Sequence, residues 1–246
     1  PSGVQGACPE GWHLPSDAEW KQMEMYLGMS QAEADKTGWR GTDEGGKMKH
    51  PGTEYWGEPN TGATNSSGFT ALPGGYIYSS FGQMHGEGFW WSSTQYIDDS
   101  AWWHYLSWNE SRVSRINPLK GNGISVRCIK DYQKEPGSSP DYGTFTDQRD
   151  QTVYKTITIG GKEWMAENLK YLPEVVGPAT NSNTTSCYYV YGYDGTDVNA
   201  AKSTANYQTY GVLYNWPAAM NGAATSNTIP SGVQGACPEG WHLPSD

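Results

Sequence analysis

The stretch PSGVQGACPEGWHLPSD runs from Pro1 to Asp17 and recurs without change from Pro230 to Asp246. Identity over that length does not arise by chance, so the chain carries a period of 229 residues and an overlap of 17. Such a period is far longer than the roughly 20–50 residues of a solenoid unit and has the size of a whole domain. The chain opens inside this stretch, with neither an initiator Met nor a signal peptide ahead of it, and reads as a window cut from something longer. Two origins are open: a tandem array of near-identical domains, or a duplication introduced in cloning or sequence assembly.

Composition narrows the class. Of 246 residues, 13% are aromatic, including 12 Trp and 17 Tyr against 4 Phe, while apolar residues reach only 36%. With 31 Gly and 15 Pro this excludes a helical bundle and suits a loop-rich, mostly β domain built on Trp and Tyr. Twenty-six acids against 16 bases give a net charge of −10, which repels phosphate backbones and argues against nucleic acid. Apolar runs fall short of the roughly 20 residues of a membrane span.

Outward from the repeated stretch, Ser16-Asp17-Ala18-Glu19 is a capping box with Pro15 ahead of it. It predicts a helix with Trp20, Met23 and Leu27 on one face and Gly28 as its stop. A second short helix is expected from Ser30 to Thr37, ending at Gly38. Thr152–Ile159, Gly160-Gly161 and Lys162–Met165 form a hairpin pattern around a turn that needs positive φ. Trp39–Gly68 lacks periodicity and reads as a long, functional or self-packed loop. Gly88–Ser92, Ala101–Trp108, Arg112–Ile116 and Gly123–Lys130 are strand candidates. DYQKEPGSSPDYGT (Asp131–Thr144) is the one convincing linker. Residues 1–131 then read as the C-terminal part of one repeat domain, 132–144 as linker, and 145–246 as the N-terminal part of the next. Alternatively both parts pack within one chain as a true permutant, and the sequence leaves the two topologies open.

Six spaced motifs carry a family resemblance: FTDQRDQTVYKTITIGGKEWMAENL (Phe145–Leu169), YGVLYNWPAAM (Tyr210–Met220), CPEGWHLPSDAEW (Cys8–Trp20), GFTALPGG (Gly68–Gly75), FWWSST (Phe89–Thr94) and SVRC (Ser125–Cys128). In this order, allowing for permutation, the chain resembles the Fibrobacter succinogenes major paralogous domain. That family is extracellular, bacterial, and similar to the C-type-lectin-like fold. One departure is the Asp150-Gln151 junction, where the family usually places a Gly. The resemblance implies an α+β, C-type-lectin-like domain: loop-rich, mostly antiparallel β with one or two helices, and circularly permuted or split across neighbouring repeats. Its two ends would pair as neighbouring strands, with Phe145–Ile159 near Gly123–Lys130.

The resemblance also implies a disulfide between Cys8 and Cys128, which would close about 120 residues and point to an oxidising compartment. The alternative is buried, unpaired thiols. Cys187 is left over as a free thiol, a thiol bonding a neighbouring domain, or a competing partner; Cys237 repeats Cys8. Glu58-Pro59-Asn60 matches a tripeptide with which C-type lectins bind sugar through calcium, and Trp108-Asn109-Glu110 loosely matches their second motif. Carboxylate and amide oxygens are the right donors for calcium. The fifty residues between the two motifs are the wrong spacing, so Glu58, Asn60, Asn109 and Glu110 stand only as weak calcium candidates; no other cofactor is expected.

Trp56, Trp90, Trp91, Trp102, Trp103 and Trp108, with Tyr76, Tyr78, Tyr96 and Tyr105 nearby, are candidates for stacking on carbohydrate or for an interface. Strand alternation sends one member of each Trp pair to the core and the other to the far face. His13, His50, His85 and His104 lack metal spacing, and nucleophile-elbow, phosphate-loop and zinc-protease motifs are missing, so no catalytic residue is assigned. The expectation is a structural subunit of an extracellular fibre or stalk built from tandem lectin-like domains, with copies of itself as partners. The alternative is a carbohydrate-binding or adhesin module on the cell surface. No enzyme activity, nucleic-acid partner or membrane span is expected.

Overall fold

The structure is a computed structural model that describes residues 4–133 and 142–225. The copy at Pro230–Asp246, with Cys237, and most of the predicted linker lie outside the described residues.

The local signals at Ser16 and Gly160 are realised as written. Ser16 caps the helix Asp17–Tyr26: its side chain accepts from the Glu19 N–H, and the Glu19 carboxylate accepts from the Ser16 N–H in return. A second helix is shorter than expected, at Gln31–Ala34 with Ser30 as its cap. Val153–Ile159 and Lys162–Met165 form the hairpin, and Gly160 and Gly161 have φ of 60° and 79°. Two successive left-handed residues define the type I′ turn that matches strand twist. At the Asp150-Gln151 junction, Gln151 also takes a left-handed conformation (φ 62°).

The hairpin sits inside a five-stranded antiparallel sheet whose order is Trp12–His13, Ile129–Gln133, Lys162–Met165, Val153–Ile159 and Tyr142–Thr146. The sheet therefore takes strands from both parts of the chain. The strand beside Ile129–Gln133 is Lys162–Met165, not Phe145–Ile159 as expected, because the tight turn places the return strand between them. The predicted linker is also narrower: Ile129–Gln133 and Tyr142–Thr146 enter it from either side as paired strands.

A four-stranded sheet holds Gly38–Arg40, Val113–Ile116, Ser100–Ser107 and Glu87–Ile97. Two ribbons complete the strands, Tyr76–Ile77 with Phe81–Gly82 and Tyr188–Tyr189 with Leu213–Tyr214. Helices are more numerous than predicted. Glu44–Met48, Val198–Lys202, Ala205–Tyr210 and Trp216–Met220 each span five or six residues, too short for an apolar stripe to register. The architecture is α+β, mostly antiparallel.

Both faces of the four-stranded sheet are covered. Phe89, Trp91, Ala101 and Trp103 face one core, and Trp90, Leu106 and Val113 face the other. In the second core Trp20 stacks on His104 (5.2 Å, 16°) and meets Phe69, Trp90 and Trp164 within 6.3 Å. Cys8 and Cys128 are joined by a disulfide in the first core, and Cys187 is a free thiol, 2% exposed, in a third small cluster.

A buried charge network pins the capped helix. The two ring nitrogens of His104 face Asp17 (3.1 Å) and Glu24 (2.7 Å); Arg115 makes a two-pronged contact with Asp17, and Arg40 with Glu24. Glu19 receives Lys162 (2.6 Å), which ties the helix to the hairpin of the other part. Burial opposes ionisation of all three carboxyls. The cations around Asp17 and Glu24 outweigh it and hold both below the carboxylate range, while His13 and Lys162 bring Glu19 down to about 2. A carboxyl with a folded pKa below its unfolded value contributes stability that is present at neutral pH and is lost as pH falls. The expected outcome is acid destabilisation that sets in near the ordinary carboxylate range, about pH 4, and continues towards pH 2. Urea midpoints measured between pH 7 and pH 2 should fall in that window, and Asp17→Asn should flatten the fall. A midpoint indifferent to pH would contradict the role of this network.

Candidate functional site

Four of the six tryptophans proposed from sequence are buried. Trp56, Trp90, Trp91 and Trp103 are 6% exposed or less, because the sheet is packed on both faces and alternation leads to a second core instead of solvent. Trp102 is half-buried, with one face under the Arg115 guanidinium at 3.6 Å and its edge against Tyr96. Trp108 is half-buried beside Gly57. Cys187, offered as an inter-domain thiol, is enclosed: burial raises its pKa, and its N–H is held by the Asn215 side chain.

The two lectin-like tripeptides are brought together despite their separation in sequence. The Thr61 N–H donates to the Trp108 carbonyl at 2.8 Å, placing Glu58–Asn60 beside Asn109–Glu110. Between these loops lies the ammonium of Lys49, fully buried, donating to the carbonyls of Thr61 (2.9 Å), Ser107 (3.0 Å) and Glu110 (2.8 Å). Of the proposed ligands, Glu58 is exposed, and Asn60, Asn109 and Glu110 are committed elsewhere. Asn60 donates to the His50 and Gly52 carbonyls, Asn109 accepts from Ser107, and Glu110 pairs with Arg112. The buried Asn60 Oδ1 has no partner, but a single amide oxygen makes no calcium site. Among the described residues no group of three or more acids, His or Cys is placed to hold a metal. Lysine supplies the positive charge on which these loops converge.

A different surface has the form of a ligand site. Tyr76, Tyr78, Tyr105 and Leu119 border an open cleft of about 580 Å3 whose floor is Phe89 and Trp103. The rings are mutually fixed: Phe89 stacks on Tyr105 (5.1 Å, 22°), and Tyr76 meets Phe89 edge-on at 5.6 Å. Tyr78 is 49% exposed and Leu119 39%. Polar atoms stand among them. Glu87 is half-buried, and burial raises its pKa; the Asn122 Oδ1 is buried without a hydrogen-bond partner. A preformed aromatic wall with a few directed polar groups is the usual make-up of a small-ligand or glycan site. Its signal in the sequence is the i, i+2 spacing of Tyr76 with Tyr78, Glu87 with Phe89 and Trp103 with Tyr105. Tyr76, Tyr78, Trp103 and Tyr105 are all among the aromatic candidates of the sequence. Leu119 and Asn122 come from an irregular segment and carried no signal.

Elsewhere the spaced motifs meet at one point. Arg127 of SVRC donates to the Phe69 (2.6 Å), Thr70 (2.9 Å) and Met165 (3.1 Å) carbonyls and to Asn168 Oδ1 (2.9 Å). Asn168 in turn accepts from the Trp90 indole and donates to Ser125 and to the Tyr210 carbonyl. Residues of five motifs thus share one buried polar hub. The family model of the Fibrobacter succinogenes major domain matches residues 2–130 and 157–246. This chain belongs to that family. No curated protein and no solved structure matches it. Within the Fibrobacter succinogenes major domain the motifs are therefore hub and core residues, whereas the tyrosine cleft lies outside them, apart from Phe89 on its floor.

Lys49→Met should destabilise the fold by about 2–4 kcal/mol, since three buried carbonyls lose their donor. Adding calcium or a chelator to the unaltered protein should leave the melting temperature unchanged. Both are read in one set of thermal melts, and a rise of several degrees with calcium would overturn the assignment of Lys49 as the cation of these loops.

Proposed function

We propose that this domain is an extracellular carbohydrate-binding module that takes a neutral polysaccharide in the Tyr76–Tyr78–Tyr105 cleft. The observation that carries the reading is the cleft itself: the exposed Tyr78 ring beside half-buried Tyr76 and Tyr105 and a half-buried carboxylate. Sugar C–H faces stack on the exposed Tyr78 ring, and sugar hydroxyls offer donors to Glu87. The net charge of −10 and the acid in the cleft favour a neutral glycan over an anionic one. The contacts this reading uses, an aromatic ring and the Glu87 carboxylate, need no calcium. A C-type-lectin-like fold and a cell-surface location belong to the same reading, and the Cys8–Cys128 disulfide is compatible with that location. No enzymatic chemistry is part of it.

A second reading is favoured by a separate observation, the identical ends. A domain-sized period suits a fibre or stalk of tandem domains, each displaying one cleft.

Calorimetric titration with soluble neutral glucans, xylans and mannans tests the first reading. Tyr78→Ala should weaken binding roughly tenfold, about 1–2 kcal/mol, with Tyr78→Phe close to the parent and chelator without effect. Absence of binding by the folded protein, or full affinity in Tyr78→Ala, would sink it. For the array, X-ray scattering from a chain of two periods should report an elongated particle about twice as long as one period. A compact, side-by-side particle would count against a stalk.

A further inference from the structure

Across Tyr78 from the tyrosine cleft lies a second one. It is open, has a volume of about 400 Å3, and is bordered by Ser79, Asn181, Ser182 and Asn183. Tyr78 and Leu119 line both clefts, so the two are neighbours divided by one exposed ring and one exposed apolar side chain. Their linings differ in kind. The first is mostly aromatic around one carboxylate. The second is mostly amides and hydroxyls, and among the described residues no charged side chain lines it.

The amides are held in place before any ligand arrives. Asn215, buried, donates to the Ser182 (2.8 Å) and Thr185 (2.7 Å) carbonyls and accepts from the Cys187 N–H (2.8 Å). The Tyr189 hydroxyl donates to the Thr180 carbonyl at 2.7 Å. The loop is thus fixed through its main chain, while Asn181 and Asn183 stay exposed. Asn181 spends one donor on the Tyr78 carbonyl (2.7 Å), which ties the loop to the residue dividing the clefts. The amide oxygens of Asn181 and Asn183 converge over Gly121, both within 2.6 Å of the point that a Cβ there would occupy. A side chain at this position would push them aside, so the glycine keeps the two amides together. An amide presents donors and an acceptor, as a sugar hydroxyl requires, and a preformed loop loses little freedom on binding.

We propose that this is a second sugar subsite, so that one linear neutral polysaccharide lies in the tyrosine cleft, crosses Tyr78 and Leu119, and sets the hydroxyls of its next units against Asn181 and Asn183. The proposal rests on the glycan reading and extends it: the ligand is a run of several sugar units, not a single one. The division of labour follows from the linings. Tyr78 takes a C–H face, and the amides read hydroxyl positions, the feature in which neutral polysaccharides differ. An uncharged lining suits an uncharged chain.

Titration calorimetry with neutral oligosaccharides of one polysaccharide, from disaccharide to octasaccharide, is the test. Affinity should rise about tenfold along the series and level off once both clefts are filled. Asn183→Ala should weaken the octasaccharide about fivefold and leave the disaccharide unchanged. Asn183 is exposed, so its truncation leaves the fold intact, whereas loss of Asn181 would also release Tyr78. Gly121→Ala, which displaces both amides, should act as Asn183→Ala does. Equal affinity along the series, or full affinity of both variants for the octasaccharide, would overturn the second subsite and leave the single cleft standing. Binding of none of the oligosaccharides would remove the glycan reading itself, and the subsite with it.

Discussion

The fold turns on one buried guanidinium. Arg127 spends its donors on three main-chain carbonyls and on Asn168, with the ring of Phe69 against its plane at 4.3 Å. Burial lowers its pKa to about 9, which leaves it charged at neutral pH. A buried cation is tolerable only when its hydrogen-bonding capacity is met, and the carbonyls it meets belong to segments far apart in sequence. Phe69 and Thr70 end the long loop; Met165 and Asn168 lie in and just beyond the hairpin's return strand. Moving any of these segments strands a polar group, so the hub specifies how they assemble as well as adding stability. Asn168 extends the constraint to Trp90 on Glu87–Ile97, an edge strand of the four-stranded sheet, and to the end of the helix Ala205–Tyr210.

How much of this was legible in the sequence follows from the range of each signal. The capping box at Ser16 and the Gly160-Gly161 turn are decided by contacts within four residues, and both are found where the pattern put them. The order of strands was not legible, because it depends on which strand a turn interposes, and Lys162–Met165 displaced Phe145–Ile159 from the expected neighbour position. Alternation placed Trp90 and Trp91 on opposite faces correctly. It could not say that the far face was covered by Trp20, Phe69 and Trp164, residues from three distant segments. The cleft was half legible: its tyrosines have strand spacing, but Leu119 and Asn122 reach it from an irregular segment that no periodicity marks.

The loops that resemble a calcium site show the limit of motif reading in another way. Their tripeptides do come together, and oxygen atoms do converge between them, yet the convergence is of main-chain carbonyls upon an ammonium. Arg127 and Lys49 are the same device used twice. In each case a loop-rich domain with little regular structure leaves carbonyls without ladder partners, and a long basic side chain threads inward to supply the donors. An acidic chain with only 16 bases places two of them in its interior for this purpose.

The same shortage of regular structure explains how the segment Val4–Asp17 is held. Only Trp12 and His13 of Val4–Asp17 form a strand, and they are paired on one side alone; the rest is fixed by side chains and single hydrogen bonds to both parts of the chain. Its place is therefore specified by what its side chains meet, and not by a strand ladder.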